Sequence, residues 1–232
     1  MTPSPDALLL LPGLLNDSRL WTHQADALRA ERPVHVADLT RDDSIPAMAR
    51  RVLAEAPPRF ALGALSMGGY VAFEILRRAQ ERVTRLALVD TMASPDSPER
   101  AANRKGLLEL ARHGRFVGVS PQLLRRLIHP RHLGTPVADT VRAMARDVGR
   151  EGFIRQQQAI IQRQDALDLL PQLTLPTLIL VGADDLITPP AEARLMHAAI
   201  PGSRLEVIPE CGHLPPLEAP EQTLSLLREW LA

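Results

Sequence analysis

Three short segments hold side chains able to do chemistry together. "GALSMGG" sets Ser66 between an apolar run and two glycines, where a strand should turn into a helix. "LVGADDLITPP" ends another apolar run on Asp184 and Asp185, and "ECGHLPPLEAPE" places His213 just past the last such run. A serine hydroxyl at its ordinary pKa is a poor nucleophile; it needs a base beside it, and the base needs an orienting acid. A serine, a carboxylate and an imidazole at the ends of three strands supply those three parts. At a sharp strand-to-helix corner the residues two before and two after must be small, and here they are Ala64 and Gly68. Such a corner exposes a hydroxyl and aims a helix N-terminus at charge developing beside it. The plainer alternative is a serine that merely caps the helix.

The elements that must position these residues alternate along the chain. "ALLLL" (7–11), "VHVA" (34–37), "FALGAL" (60–65), "RLALVD" (85–90), "TLILVG" (177–182) and "RLEVI" (204–208) read as buried strands. Their unbroken apolar character suits a parallel sheet covered on both faces. Between them lie stripes of helical period: Leu20, Trp21, Ala25 and Leu28; Val71, Ile75 and Ala79; Leu224, Leu227 and Leu231, with Pro220 in the first turn. Thr188 followed by Pro189 reads as a further helix start. Strand–helix alternation implies right-handed crossovers and a layered α/β fold. From 94 to 173 no strand is expected, only helical pieces broken by "HG", "HP", "GTP" and Gly149. The expected division is a core of 1–93 and 174–232 with a helical cap inserted at 94–173. About six residues precede the first strand, too few for a leading hairpin, so six all-parallel strands are expected.

With these pieces placed, the chain resembles an α/β-hydrolase of the esterase and enol-lactonase type. The resemblance rests on "LLLLPGLLNDSRLW", "LSMGGYVAFEI", "LVGADDLITPP" and "CGHLPPLEAPE". It implies a mostly parallel, doubly wound sheet with an inserted helical cap. Ser66 becomes the nucleophile and His213 the general base, then acid. The family pattern G-x-x-D-x-x-x-P, running from Gly182 to Pro189, selects Asp185 as the acid over Asp184 and over Asp90, whose strand-end position serves in some relatives. The oxyanion hole would use the N–H of Met67, after the nucleophile, and that of Leu14, after Pro12-Gly13 where relatives often have His-Gly. The implied activity is hydrolysis of a small carboxylic ester or lactone through an acyl-enzyme, with no metal or organic cofactor. Thioester, enol-lactone or C–C bond hydrolysis by the same triad, and a non-catalytic binding homologue, are the alternatives.

The remaining residues are expected to do less. Leu15, Phe153, Gln157, Ile160 and Leu214 are the candidates for a substrate pocket. A plain docking stripe is the favoured reading of Phe153, Gln157 and Ile160, which share a helical face. Cys211 reads as a buried small hydrophobe and Trp21 as core. The histidines at 23, 35, 113, 129, 132 and 197 show no paired ligand spacing. The 232 residues are 45% hydrophobic and 23% charged with zero formal net charge, so nothing electrostatic asks for nucleic acid or an anionic membrane. Of the 27 basic residues only Lys105 is a lysine, which suits a codon bias. One cysteine permits no intrachain disulfide. "MTPSPDALLLLPG" lacks the basic start and long apolar core of a signal peptide, so a cytoplasmic protein is expected.

Overall fold

The apolar runs form a six-stranded, wholly parallel sheet in the computed structural model, which describes residues 6–114 and 116–232. The strands are β1 (Ala7–Leu11), β2 (Val34–Val36), β3 (Phe60–Leu65), β4 (Val83–Val89), β5 (Thr177–Gly182) and β6 (Arg204–Ile208), in the order β2-β1-β3-β4-β5-β6. Side chains alternate between two apolar clusters, as a pleat requires. Leu9, Leu11, Leu62, Leu88 and Ile179 enter one cluster; Leu8, Leu10, Ala61, Ala87 and Leu178 enter the other. β1, β3 and β5 are buried throughout, which is why they read as continuous apolar runs. β2 and β6 are not: His35, Arg204 and Val207 are exposed, because these are the two edge strands. The expectation of buried strands is corrected there. β4 begins two residues earlier than the sequence suggests, at Val83.

Helices α1 (Thr22–Leu28), α2 (Ile45–Glu55) and α3 (Met67–Ala79) cover the first half of the sheet. Between β4 and β5 the chain makes α4 (Pro98–Arg112), α5 (Pro121–Leu127) and α6 (Pro136–Ile161), with no strand among the described residues. α6 kinks at Gly149, whose φ of 68° lies in the left-handed region and interrupts the helix. α7 (Pro190–Ala199), α8 (Pro215–Glu218) and α9 (Pro220–Leu231) complete the chain. Thr188 does not cap α7. The helix begins at Pro190, and the Thr188 hydroxyl donates instead to the Asp185 carboxylate at 2.7 Å. The Asp185 carboxylate, three residues earlier and folded back onto this loop, is the stronger acceptor, so the capping expectation fails there. Among the described residues no helix is long and apolar enough to cross a membrane.

Candidate active site

Ser66 is the hinge between β3 and α3. Its φ of 54° is rare for a residue with a side chain and holds the hydroxyl clear of the sheet. Gly68 makes the corner possible, since a Cβ there would lie 2.7 Å from the Leu11 carbonyl oxygen. Ser66 sits at the helix N-cap position but makes no capping hydrogen bond. Its Oγ lies 2.9 Å from His213 Nε2, the geometry of a hydroxyl donating to the imidazole.

His213 follows β6, and its Nδ1 lies 2.8 Å from Asp185 Oδ2 in the loop after β5. The loop turns back on the carboxylate: Ile187 and Thr188 N–H groups donate to Oδ1 at 2.7 and 3.1 Å. Burial by itself raises the Asp185 pKa. The adjoining His213 and the hydrogen bonds to Oδ2 outweigh it and hold the group down to about 2. Asp184 is exposed and lies 3.9 Å from His129, away from the imidazole.

Asp90, just past β4, is buried with a φ of 41°. Its Oδ1 accepts the Gly182 N–H at 2.9 Å, while Oδ2 has no partner among the described residues. One oxygen or nitrogen from each of Asp90, Asp185 and His213 falls within 4.8 Å of the others. Burial, then the neighbouring Asp185 charge, push the Asp90 carboxyl well above the ordinary range. Both effects favour the protonated form of Asp90, while those on Asp185 favour its ionised form.

The loop after β1 turns tightly, with the Asn16 N–H on the Gly13 carbonyl at 3.2 Å. Leu15, within that turn, has a φ of 60°. Its N–H donates to Gln156 Oε1 at 3.0 Å, and Gln156 Nε2 donates to the Leu39 carbonyl at 3.2 Å. Gln156, fully buried on α6, therefore ties the β1 loop to the β2 loop. The Leu14 N–H, in the same turn, and the Met67 N–H, at the first position of α3, find no acceptor among the described residues. Both residues border the cavity that holds Ser66.

Glu218, in α8, holds the histidine loop. Its buried carboxylate accepts from the N–H groups of Gly212 (3.0 Å), Leu214 (2.9 Å) and His129 (2.7 Å). The two neighbours of His213 are thereby clamped from one side, and the His213 N–H itself donates to the Leu127 carbonyl at 2.9 Å.

A cavity of about 860 Å³ opens over Ser66 and His213. Leu15, Phe153, Gln157 and Ile160 line it, so the three α6 residues face the cavity rather than only docking the helix. Leu214 does not line it and packs into the core cluster behind the histidine loop. Cys211 is fully buried and its thiol pKa is raised, chiefly by burial. Trp21 is core, its indole N–H reaching the Leu11 carbonyl at 3.3 Å.

Sequence reasoning passed over Gln156, Glu218 and Thr188. Thr188, read as a helix start, and Glu218 both lay in segments already singled out, but neither was given a role beside the triad. Gln156 acts on backbone groups more than 100 positions away, and Glu218 joins its own loop to His129, 89 positions away, which no spacing reveals.

A parallel sheet with a serine at the corner after its third strand, an acid after the fifth and a histidine after the sixth is the α/β-hydrolase class of fold. A family model described as alpha/beta hydrolase fold matches residues 41–220; the chain belongs to that family and is a hydrolase. Similar proteins include a pimeloyl-[acyl-carrier protein] methyl ester esterase of Nitrosomonas europaea, 30% identical, with 95% of this chain and 93% of that protein covered. A thermophilic esterase from Thermogutta terrifontis, solved with malate bound, superposes with a TM-score of 0.88 at 35% identity, covering 99% of this chain and 90% of that one. The enol-lactonase from Burkholderia xenovorans LB400 shares the fold with a TM-score of 0.87 at 23% identity, covering 99% and 92%.

Proposed function

We propose that the protein is a serine hydrolase that cleaves a small carboxylic ester or lactone through an acyl-enzyme. The observation that carries this reading is the continuous relay from Ser66 Oγ through both nitrogens of His213 to Asp185, at 2.9 and 2.8 Å. As Oγ bonds to the carbonyl carbon, its proton passes to His213 Nε2 and the carbonyl electron pair moves onto oxygen. The Leu14 and Met67 N–H groups hold that oxyanion, and Asp185 stabilises the imidazolium. Collapse expels the alcohol oxygen, which takes the proton from Nε2. Water, deprotonated by His213, then attacks the acyl carbon and releases the acid and free Ser66. In a lactone both products stay on one molecule.

Two esterases among the relatives, at 30% and 35% identity, support an ester over a thioester or a C–C bond. Helices α4 to α6, inserted between β4 and β5, act in this reading as a cap whose cavity wall sets specificity. No step calls for a metal or organic cofactor.

Turnover of p-nitrophenyl acetate by Ser66→Ala tests the proposal. The expected kcat loss is roughly 10⁴-fold or more, with the remainder due to the oxyanion hole and binding. Near-normal turnover by the variant would refute the nucleophile assignment.

A further inference from the structure

The cavity wall formed by α4 is electrically unbalanced. There one carboxylate, Asp96, is shared by two guanidiniums, Arg104 Nε at 2.8 Å and Arg163 Nη2 at 3.0 Å. All three side chains are largely buried, with 7%, 15% and 4% of Asp96, Arg104 and Arg163 exposed. Arg163 also lies over the Tyr70 ring, 4.4 Å from its centre, and Tyr70 lines the cavity. One turn before Arg104, Arg100 donates to Met92 Sδ and to the Ile187 carbonyl at 3.0 Å, and pairs with no carboxylate among the described residues. Arg100 and Arg104 both border the cavity. Asp96 therefore answers only one of three positive charges. Of the other ionic groups on the lining, Glu99 and Arg126 are both exposed and of opposite sign, so they leave the buried imbalance as it is.

Gln157 completes the wall. It is 98% buried, lines the cavity, and accepts from Arg104 Nη1 through Oε1 at 3.3 Å. With its oxygen so engaged its amide orientation is set, and its Nε2 donor finds no acceptor among the described residues. A buried guanidinium surplus beside a fixed, unused amide donor is a site for an anion with two coplanar oxygens.

We infer that Arg104, Gln157 and Arg100 bind an ionised carboxylate at the far end of the substrate, so that the preferred substrates are half-esters of small dicarboxylic acids. This rests on the hydrolase reading and narrows its substrate class. The ligand's negative charge would complete the shell around the buried arginines, and the same contact would orient the ester over Ser66.

The test compares kcat/KM for monomethyl succinate, glutarate and adipate with that for the corresponding methyl ester monoamides. At the chain length that spans the site the carboxylate should be preferred roughly tenfold or more, as hydrogen bonds to a charged group imply. That ratio should collapse toward unity in Arg104→Met and, should that variant not fold, in Gln157→Leu. The free dicarboxylate should also inhibit wild-type hydrolysis of the neutral ester competitively. Equal or better use of the monoamide esters at every length, or a preference that survives both substitutions, would overturn the inference while leaving the hydrolase reading intact. Wild-type protein that turns over neither series and does not react with a fluorophosphonate would overturn both.

Discussion

Replacing Glu218 by glutamine changes one oxygen for an NH₂ and should disturb both stability and catalysis. The carboxylate accepts three backbone N–H groups, two at Oε2 and one at Oε1. The best amide orientation keeps its oxygen at the Oε2 place and turns its NH₂ onto the Leu214 N–H. One buried N–H is then stranded, at about 1–3 kcal/mol, and two charge-assisted bonds become neutral ones, at about 1 kcal/mol each. The sum is about 3–5 kcal/mol. For 232 residues the unfolding entropy is about 0.5 kcal/mol/K, so Tm should fall by roughly 6–10 °C. Because the stranded group adjoins His213, kcat should drop while KM changes little. Differential scanning fluorimetry and steady-state kinetics on one neutral ester read both effects. A Tm within about 2 °C of wild type would refute the hydrogen-bond reasoning, and a large Tm loss with unchanged kcat would refute the link to His213.

Gln156→Leu removes the acceptor for the Leu15 N–H and should lower kcat by roughly tenfold or more with little change in KM, since losing an oxyanion donor outright costs about 10²–10³. Gln156→Glu, which keeps that acceptor, should recover part of the loss; a KM effect alone would contradict the role. Asp90 is held above the ordinary carboxylate range, so the unfolded chain sheds its proton first and stability falls as pH rises from that range through the folded pKa. Asp90→Asn, offering an N–H in place of the acid O–H, should therefore raise Tm more at about pH 8 than at about pH 4.5; equal shifts at both would count against a protonated Asp90. Asp185 has the opposite sign: its folded value of about 2 adds stability above the unfolded carboxylate range that is lost as pH falls toward 2. Asp185→Asn should flatten that acid limb in a Tm–pH profile, and an unchanged limb would argue against the depressed pKa.

The fully buried strands were legible in the sequence because burial on both faces leaves an unbroken apolar run. β2 and β6 were misread as buried, since a sheet edge depends on which strands pair and not on local composition. Ser66 and His213 announce themselves through neighbours that a tight corner and a strand end require. Choosing Asp185 over Asp184 needed the family pattern; the physical reason is that the loop folds the N–H groups of Ile187 and Thr188 onto only one of the two carboxylates. Gln156 and Gln157 are adjacent in "RQQQ" yet bond to different parts of the molecule, one to the β1 and β2 loops and one to the Arg104 wall. The Asp96–Arg163 pair spans 67 positions, beyond the reach of any local pattern.

Intact-mass analysis after treatment with a fluorophosphonate bears most directly on the relay. One adduct per chain, mapped to Ser66 and abolished or greatly slowed in His213→Ala, is the expected result. Folded wild-type protein that stays unlabelled, or that is labelled elsewhere, would contradict an activated serine at the β3–α3 corner.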